Sequence, residues 1–195
     1  MASKVAIRLS LLVLILMVAF VCVALGRAPG YPEAPPVAHT GGFGEPTCRQ
    51  CHFDQPLNDP GGSLMLGGVP EVYAAGMRYL LIVELARPAM RRSGFQVAAR
   101  FVDGAQAGTL QPVDDRTEIV VNDSSAVIYV HHTKTGTLLA ASDTARWTVA
   151  WTAPEAAAGR IVFHLTANAA NDDASEFGDY VYAGRWGSSG QKRGE

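Results

Sequence analysis

The sequence predicts an all-β domain built as an antiparallel β-sandwich. From about residue 63 onward, short apolar runs alternate with turn residues, and several runs place apolar side chains at every second position. The 20 glycines favour turn-rich β structure over a helical bundle. No run shows sustained helical periodicity. The candidate strands are Ser63–Leu66, Met77–Ala86, Gly94–Arg100, Glu118–Val121, Ala126–His132, Arg146–Trp151 and Arg160–Ala167.

Alternation within two of these strands predicts which side chains face the core. One such set is Trp147, Val149 and Trp151, and the other is Ile161, Phe163 and Leu165. A chain of 195 residues is long enough for one domain with a real core. The formal net charge of -2 gives no electrostatic footprint for nucleic acid or an anionic membrane surface.

The first 27 residues predict export. Lys4 and Arg8 precede an uncharged apolar run, Leu9–Leu25, which Arg27 ends. The run is slightly shorter than the ~20 residues of a transmembrane helix and longer than most signal-peptide cores. We therefore expect either a cleaved signal peptide or a retained membrane anchor. Both place residues 28–195 outside the cytoplasm, in the periplasm or at the cell surface, because the basic side stays cytoplasmic.

The remainder of the chain divides into three predicted parts. Residues 28–47 are rich in Pro and Gly and are expected to form an extended linker. Residues 48–186 form the predicted β-sandwich domain. Residues 187–195 contain mainly Gly, Ser and charged side chains and are expected to be a flexible tail.

One short motif carries the candidate chemistry, Cys48-Arg49-Gln50-Cys51-His52. This C-x-x-C-H spacing is typical of c-type haem attachment. The thiols of Cys48 and Cys51 add to the two vinyl groups of one haem, and His52 becomes the proximal iron ligand. The attachment machinery works outside the cytoplasm, in agreement with the export segment. The predicted cofactor is one covalent haem c.

Two other readings of the motif stay open. Cys48 and Cys51 could form a redox-active disulfide, although that motif usually opens a helix in a βαβ unit, and here it follows a Gly/Pro-rich stretch. A zinc site would need a fourth ligand, such as His39 or a distant histidine.

A low-spin haem also needs a second axial ligand, usually His or Met. His131 and His132 end a predicted strand, and because side chains alternate, at most one of them can point at a given haem. The full set of candidates is His39, His131, His132, His164, Met65, Met77 and Met90.

Several short segments occur in an order that resembles a known family. They are Thr40–His52, Gly94–Gln96, Tyr129–Thr133, Trp151–Pro154, Asn168–Asn171 and Gly178–Asp179. In this order they resemble the bacterial choice-of-anchor V domain proteins, which are similar to reeler (Reelin N-terminal-like) domains. The resemblance covers about residues 40–183.

The resemblance implies an immunoglobulin-like, reeler-like β-sandwich with a haem-binding loop at its N-terminal end. Family members tend to carry His followed by Thr after the Tyr-Val strand, which corresponds here to His132 and Thr133. His132 is therefore the favoured distal iron ligand, with His131 as second choice. His164 stands where the family more often has an aromatic residue.

These observations predict an exported monohaem cytochrome c module that transfers single electrons through a bis-His haem, and not an enzyme. The expected partners are redox proteins or other cytochromes, with membrane contact through residues 9–25 if these are retained. The alternative is an extracellular binding or assembly module, for instance a haem-filament subunit, in which haem is structural. Calcium on the acidic run Asp172–Asp179 is a weaker expectation, because its spacing fits no EF-hand.

Overall fold

The computed structural model describes residues 34–156 and 159–191, which form ten β-strands and two short 3₁₀ turns. The strands are β1 (Ser63–Gly67), β2 (Val72–Tyr73), β3 (Arg78–Ala86), β4 (Arg92–Phe101), β5 (Thr109–Pro112), β6 (Thr117–Val121), β7 (Ile128–His132), β8 (Thr144–Thr152), β9 (Arg160–Ala170) and β10 (Tyr180–Gly190).

The strands form two sheets, as a β-sandwich requires. The four-stranded sheet has the order β1-β3-β8-β5, and the six-stranded sheet has the order β2-β10-β9-β4-β7-β6. Every pair is antiparallel except β2 with β10, which is parallel. The predicted antiparallel β-sandwich is therefore confirmed.

Aromatic side chains join the two sheets in the core. Trp151 of β8 meets Phe163 of β9 edge-on, with ring centroids 4.9 Å apart, and Trp147 meets Phe95 of β4 at 4.6 Å. All four are almost completely buried. The two sets of side chains that alternation predicted to face the core are both in it: Trp147, Val149, Trp151, Ile161, Phe163 and Leu165.

All seven predicted strands are present with small shifts at their ends, but β2, β5 and β10 were not predicted. The first two are short edge strands, and β5 ends at Pro112. In β10 the centre, Gly184–Gly187, contains two glycines, which lowers its apparent β propensity. Its backbone nevertheless pairs with β9 over ten residues, because β9 is long enough to provide a backbone hydrogen-bonding partner along this whole length.

The predicted tail is wrong for residues 187–190, which are the last part of β10. Ser188 and Ser189 pair with Ile161 and Arg160, and the Ser189 amide also donates to the carbonyl of Glu71. Ladder hydrogen bonds on both sides hold this polar segment in the sheet, which its composition could not reveal.

The predicted signal or anchor segment, residues 1–27, lies outside the described residues. Within 34–156 and 159–191, no helix is long and apolar enough to cross a bilayer.

The predicted linker instead packs on the sandwich where it is described. Residues 34–47 cross the face of the six-stranded sheet that points away from the core, which we call the outer face. There, the Gln96 side chain of β4 accepts a hydrogen bond from the His39 amide at 2.7 Å and donates one to the carbonyl of Pro36 at 3.0 Å. The Pro/Gly-rich composition excluded a helix or a central strand, but it did not exclude docking.

Candidate functional site

The Cys-x-x-Cys-His motif forms one helical turn on the outer face. Residues Cys48–Gln50 are a 3₁₀ turn, and the Thr47 hydroxyl caps it by accepting a hydrogen bond from the Arg49 amide. The amides of Cys51 and His52 both donate to the carbonyl of Cys48, at 3.2 and 3.0 Å. In a helical turn, residues three and four positions apart lie on one side. Cys48, Cys51 and His52 are therefore neighbours, as haem attachment requires.

A buried carboxylate orients His52. Its Nδ1 lies 2.8 Å from Oδ2 of Asp179, which is almost fully buried, whereas the imidazole is about one-third exposed. Since a carboxylate accepts, this contact assigns the proton to Nδ1 and leaves the Nε2 lone pair for a ligand. Within the described parts of the chain, no hydrogen bond to His52 Nε2 is found. Metal-binding histidines are commonly fixed in this way by a carboxylate on the other ring nitrogen.

Asp179 is itself held by two further donors. The Asn168 amide group donates to Oδ2 at 3.1 Å, and the backbone amide of Asn171 donates to Oδ1 at 3.0 Å. Both donors lie at the end of β9, and Asp179 directly precedes β10. Sequence analysis missed the role of Asp179, which it placed in a family-like segment and in a possible calcium run, because the proximity of Asp179 to His52 arises from the β9–β10 hairpin.

Cys48 and Cys51 are both free thiols and both partly buried. The Cys48 sulfur lies 3.7 Å from the Thr166 hydroxyl of β9, which donates toward it. Burial raises the pKa of the Cys48 thiol to about 11. A thioether at Cys48 therefore requires this side chain to leave its contact with the sheet.

A buried charge network fastens the segment that precedes the motif. The Glu45 carboxylate accepts hydrogen bonds from Arg100 and Tyr129 on the outer face and, at 2.5 Å, from the Thr40 hydroxyl. Arg100 also donates to the Tyr129 hydroxyl. Burial raises the pKa of Glu45, but the hydrogen bonds from Thr40, Tyr129 and Arg100 outweigh it and lower the pKa overall. This network fixes the entry of the chain into the Cys-x-x-Cys-His motif.

A glycine allows the same segment to lie close to β9. A Cβ on Gly42 would lie only 2.4 Å from the His164 ring, so any larger residue would push the segment off the sheet. His164 also meets Phe43 edge-on at 5.2 Å. It thus lies near the motif, on the same strand and face as Thr166, but it packs under residues 42–43.

The two histidines of β7 lie two strands away from the motif. His131 is in register with Gln96 of β4, which is in register with Thr166 of β9, so about 10 Å separates the His131 and Thr166 positions. His131 Nδ1 contacts the carbonyl of His132 at 2.8 Å.

His132 sits at the end of the β4–β7 ladder. Its Nδ1 lies 3.0 Å from the Phe95 amide, from which it accepts, and a Cβ on Gly94 would be 2.5 Å from the His132 ring. Among the described residues, no hydrogen bond or ring contact joins His131 to residues 48–52. The choice of His132, with His131 second, as distal ligand stays a prediction.

His39, by contrast, contacts the motif directly. Its Nε2 lies 2.5 Å from Oε1 of Gln50, and its Nδ1 lies 2.9 Å from the carbonyl of Val37. Both ring nitrogens are thus occupied, and no group of three His, Cys, Asp or Glu side chains suited to a metal ion occurs in the described residues. The zinc reading with His39 as fourth ligand has no support in this arrangement.

The acidic run has internal partners. Asp173 accepts hydrogen bonds from the Ser175 amide and the Asn171 side chain. Asp172 forms an ion pair with Arg92 at 3.2 Å, and Asp179 contacts His52. These oxygens point to separate partners, so the described loop offers no converging set for calcium, and calcium stays an expectation without structural support.

The residues present fit a covalent haem in two respects. The helical turn brings two thiols and one imidazole together, and the Asp179 contact leaves Nε2 of His52 available as an iron ligand. The contact between the Cys48 sulfur and Thr166 is one feature that would have to rearrange.

Comparisons with known proteins concern the fold. No family model matches the chain, and no curated protein matches it. It is similar to the Reelin-N domain of F-spondin, at 22% identity over 74% of this chain and 98% of that one, with a TM-score of 0.48. It is also similar to the human F-spondin reeler domain, at 23% identity over 72% of this chain and 98% of that one, with a TM-score of 0.43.

A cohesin module from a Clostridium perfringens family 33 glycoside hydrolase gives 9% identity over 66% of this chain and 95% of that one, with a TM-score of 0.45. The reeler class named by the sequence resemblance is thus found among the structural neighbours. The finer assignment to choice-of-anchor V proteins is not.

Proposed function

We propose that the chain is an exported β-sandwich module that carries one covalent haem c and transfers single electrons. The observation that carries the proposal is the geometry of His52, which shares a helical turn with Cys48 and Cys51 and is oriented by the buried Asp179. When bound, the haem supplies an iron centre that cycles between two oxidation states.

The side chains of the motif would hold the group through two covalent bonds and one coordinate bond. The thiols of Cys48 and Cys51 would each add across a vinyl group, so that an S–C bond forms and the thiol hydrogen moves to the other vinyl carbon, without net oxidation or reduction. The Nε2 atom of His52 would bind iron. The carboxylate of Asp179 would hold the ring orientation and increase the basicity of Nε2, which favours the oxidised iron.

The test is to express the full chain with a haem c maturation system and to record its intact mass and its oxidised and reduced spectra. We expect a mass increase of one haem, retained after denaturation in acid acetone, and a reversible change in the spectrum on reduction. Cys48→Ala with Cys51→Ala should abolish the attachment. Cys22→Ala removes a cysteine outside the motif and serves as the matched control. A chain that gains no mass would overturn the proposal.

Asp179→Asn separates orientation from attachment. The variant keeps both thiols and His52, so haem should still be attached, but the weaker acceptor should make Nε2 a poorer donor and raise the reduction potential. Asp173→Asn changes an exposed carboxylate of the same loop and is the control. An unchanged potential in Asp179→Asn would contradict the role given to the carboxylate.

A second candidate is a binding or assembly module in which haem is structural. The edge strand β6 favours it, because one side of its backbone pairs with no described strand, so another strand could add there, and its Ile119 and Val121 side chains are each nearly half accessible. Attached haem that cannot be reduced and reoxidised reversibly would support this candidate. The effects of His132→Ala and His131→Ala on the spectrum would decide the distal ligand in either case.

A further inference from the structure

A concave site lies on the outer face, further along β9 from the Cys48–His52 turn. Its volume is about 420 Å³, which suits one small organic molecule. Val162 and Arg160 of β9 and Arg185 of β10 contribute to it, with Val102 at one side and Phe43 at the boundary with the docked segment. Three contacts lie in order along the outer face of β9. His52 contacts Asn168, Cys48 contacts Thr166, and Phe43 contacts His164. The cleft follows beyond His164.

The cleft is positively charged on one part of its wall and apolar on another. Neither the Arg160 nor the Arg185 guanidinium forms an ion pair or a hydrogen bond with any described residue, and none of the lining residues is acidic. Burial and the nearby charges of Arg100 and Arg185 lower the pKa of the third ionisable lining residue, His164. At neutral pH, the positive charge of the wall therefore comes from the two arginines.

The arginines are placed so that both could reach one ligand. Arg160 and Arg185 lie on adjacent antiparallel strands, where Arg160 is in register with Ser189 and Arg185 with His164. The Arg160 guanidinium lies over Gly187, whose missing side chain leaves it room, since a Cβ there would be 3.3 Å from a guanidinium nitrogen. The apolar part comes from Phe43, nearly half exposed, and from Val102, which is 62% exposed.

We propose that this cleft binds a small planar aromatic carboxylate. A guanidinium matches a carboxylate through two parallel hydrogen bonds and also stacks on aromatic faces. The ring of the ligand would cover the apolar side chains of Phe43, Val102 and Val162, while its carboxylate meets the two arginines. The site is separate from the Cys48–His52 turn, so the proposal does not depend on haem attachment.

The experiment is a calorimetric titration of the purified full chain with naphthalene-2-carboxylate. We expect saturable one-to-one binding, weakened about 10- to 100-fold by Arg160→Ala and by Arg185→Ala, since a hydrogen bond to a charged group contributes ~1.5–3 kcal/mol. Arg146→Ala removes an equal charge from an exposed position of the four-stranded sheet and should not change the affinity. Because the substituted arginines are exposed, the variants should fold normally.

Three further arms identify the ligand chemistry and its source. Naphthalene-2-methanol keeps the ring without the charge and inorganic phosphate keeps the charge without the ring, so both should bind at least 10-fold more weakly. The Cys48→Ala, Cys51→Ala chain, which cannot attach haem, should bind the carboxylate as the parent does. The proposal is overturned by the absence of saturable binding, by equal affinity in both arginine variants and the parent, or by binding only to the haem-free chain, which would assign the cleft to haem propionates.

Discussion

At the scale of single residues, the two cysteines of the motif differ in environment although their spacing makes them look equivalent. Burial raises the pKa of Cys48 to about 11, above its ordinary value of 9.0, although the hydrogen bond from Thr166 acts in the opposite direction. At pH 8 the thiol at this position is therefore mostly protonated, and the thiolate is the form that reacts. Cys48 should therefore be the slower of the two to alkylate.

Alkylation of the haem-free chain by iodoacetamide, followed by mass spectrometry of the peptides, tests this prediction. In the folded chain at pH 8, Cys51 should be modified first, and the rate at Cys48 should keep rising as the pH approaches 11. In denaturant the two rates should become similar, which is the internal control. Equal rates in the folded chain would show that the Cys48 sulfur is not held against the sheet.

Residue spacing alone predicted the grouping of Cys48, Cys51 and His52, because a five-residue turn brings its own members together. It could not identify Asp179, which is far from His52 in sequence and reaches it only through the β9–β10 hairpin. It also could not show that His131 and His132 lie two strands from the motif, since strand order in a sheet is a long-range property.

At the scale of elements, the charge network at Glu45 determines whether residues 34–47 stay on the outer face. Glu45 contacts Thr40 in its own segment and Arg100 and Tyr129 of the sheet. Its lowered pKa means that the network contributes stability above the ordinary value of 4.5, and that this contribution is lost as pH falls through the folded pKa. The segment should therefore be released in acid.

Glu45→Gln tests this prediction by removing the titrating group. At pH 7 the variant should be less stable than the parent, and the difference should shrink as pH falls from about 4.5 toward 3, because the parent then loses the same charge. The measurement is the free energy of unfolding in urea at several pH values. Glu71→Gln, an exposed carboxylate elsewhere, should follow the parent at every pH. A constant gap between Glu45→Gln and the parent would contradict the prediction.

The elements show where sequence periodicity is informative and where it is not. Strands β8 and β9 were predicted because one face is apolar and buried while the other is polar. Strand β10 has no such alternation over Gly184–Ser189, and its place in the sheet comes from backbone pairing with β9. The docking of residues 34–47 depends on Gln96, Arg100 and Tyr129, which a local pattern in the segment itself cannot reveal.

At the scale of the whole molecule, the two sheets share one aromatic core and should unfold together. Phe163 of the six-stranded sheet is fully buried and packs on Trp151 of the four-stranded sheet at 4.9 Å. Phe163→Ala removes this contact and leaves a cavity, which costs about 3–5 kcal/mol in buried cores. Phe177→Ala, at a half-exposed ring, should cost less than ~1 kcal/mol and is the matched control.

Urea unfolding followed by two signals measures this prediction. In a Trp186→Phe background, which removes the tryptophan of β10, fluorescence of Trp147 and Trp151 reports on the four-stranded sheet, and amide exchange along β9 and β4 reports on the six-stranded sheet. A single core requires both signals to change at the same urea concentration and to shift together in Phe163→Ala. If amide exchange responded alone, the six-stranded sheet would be stable independently of its partner, and the outer-face sites would depend on that sheet only.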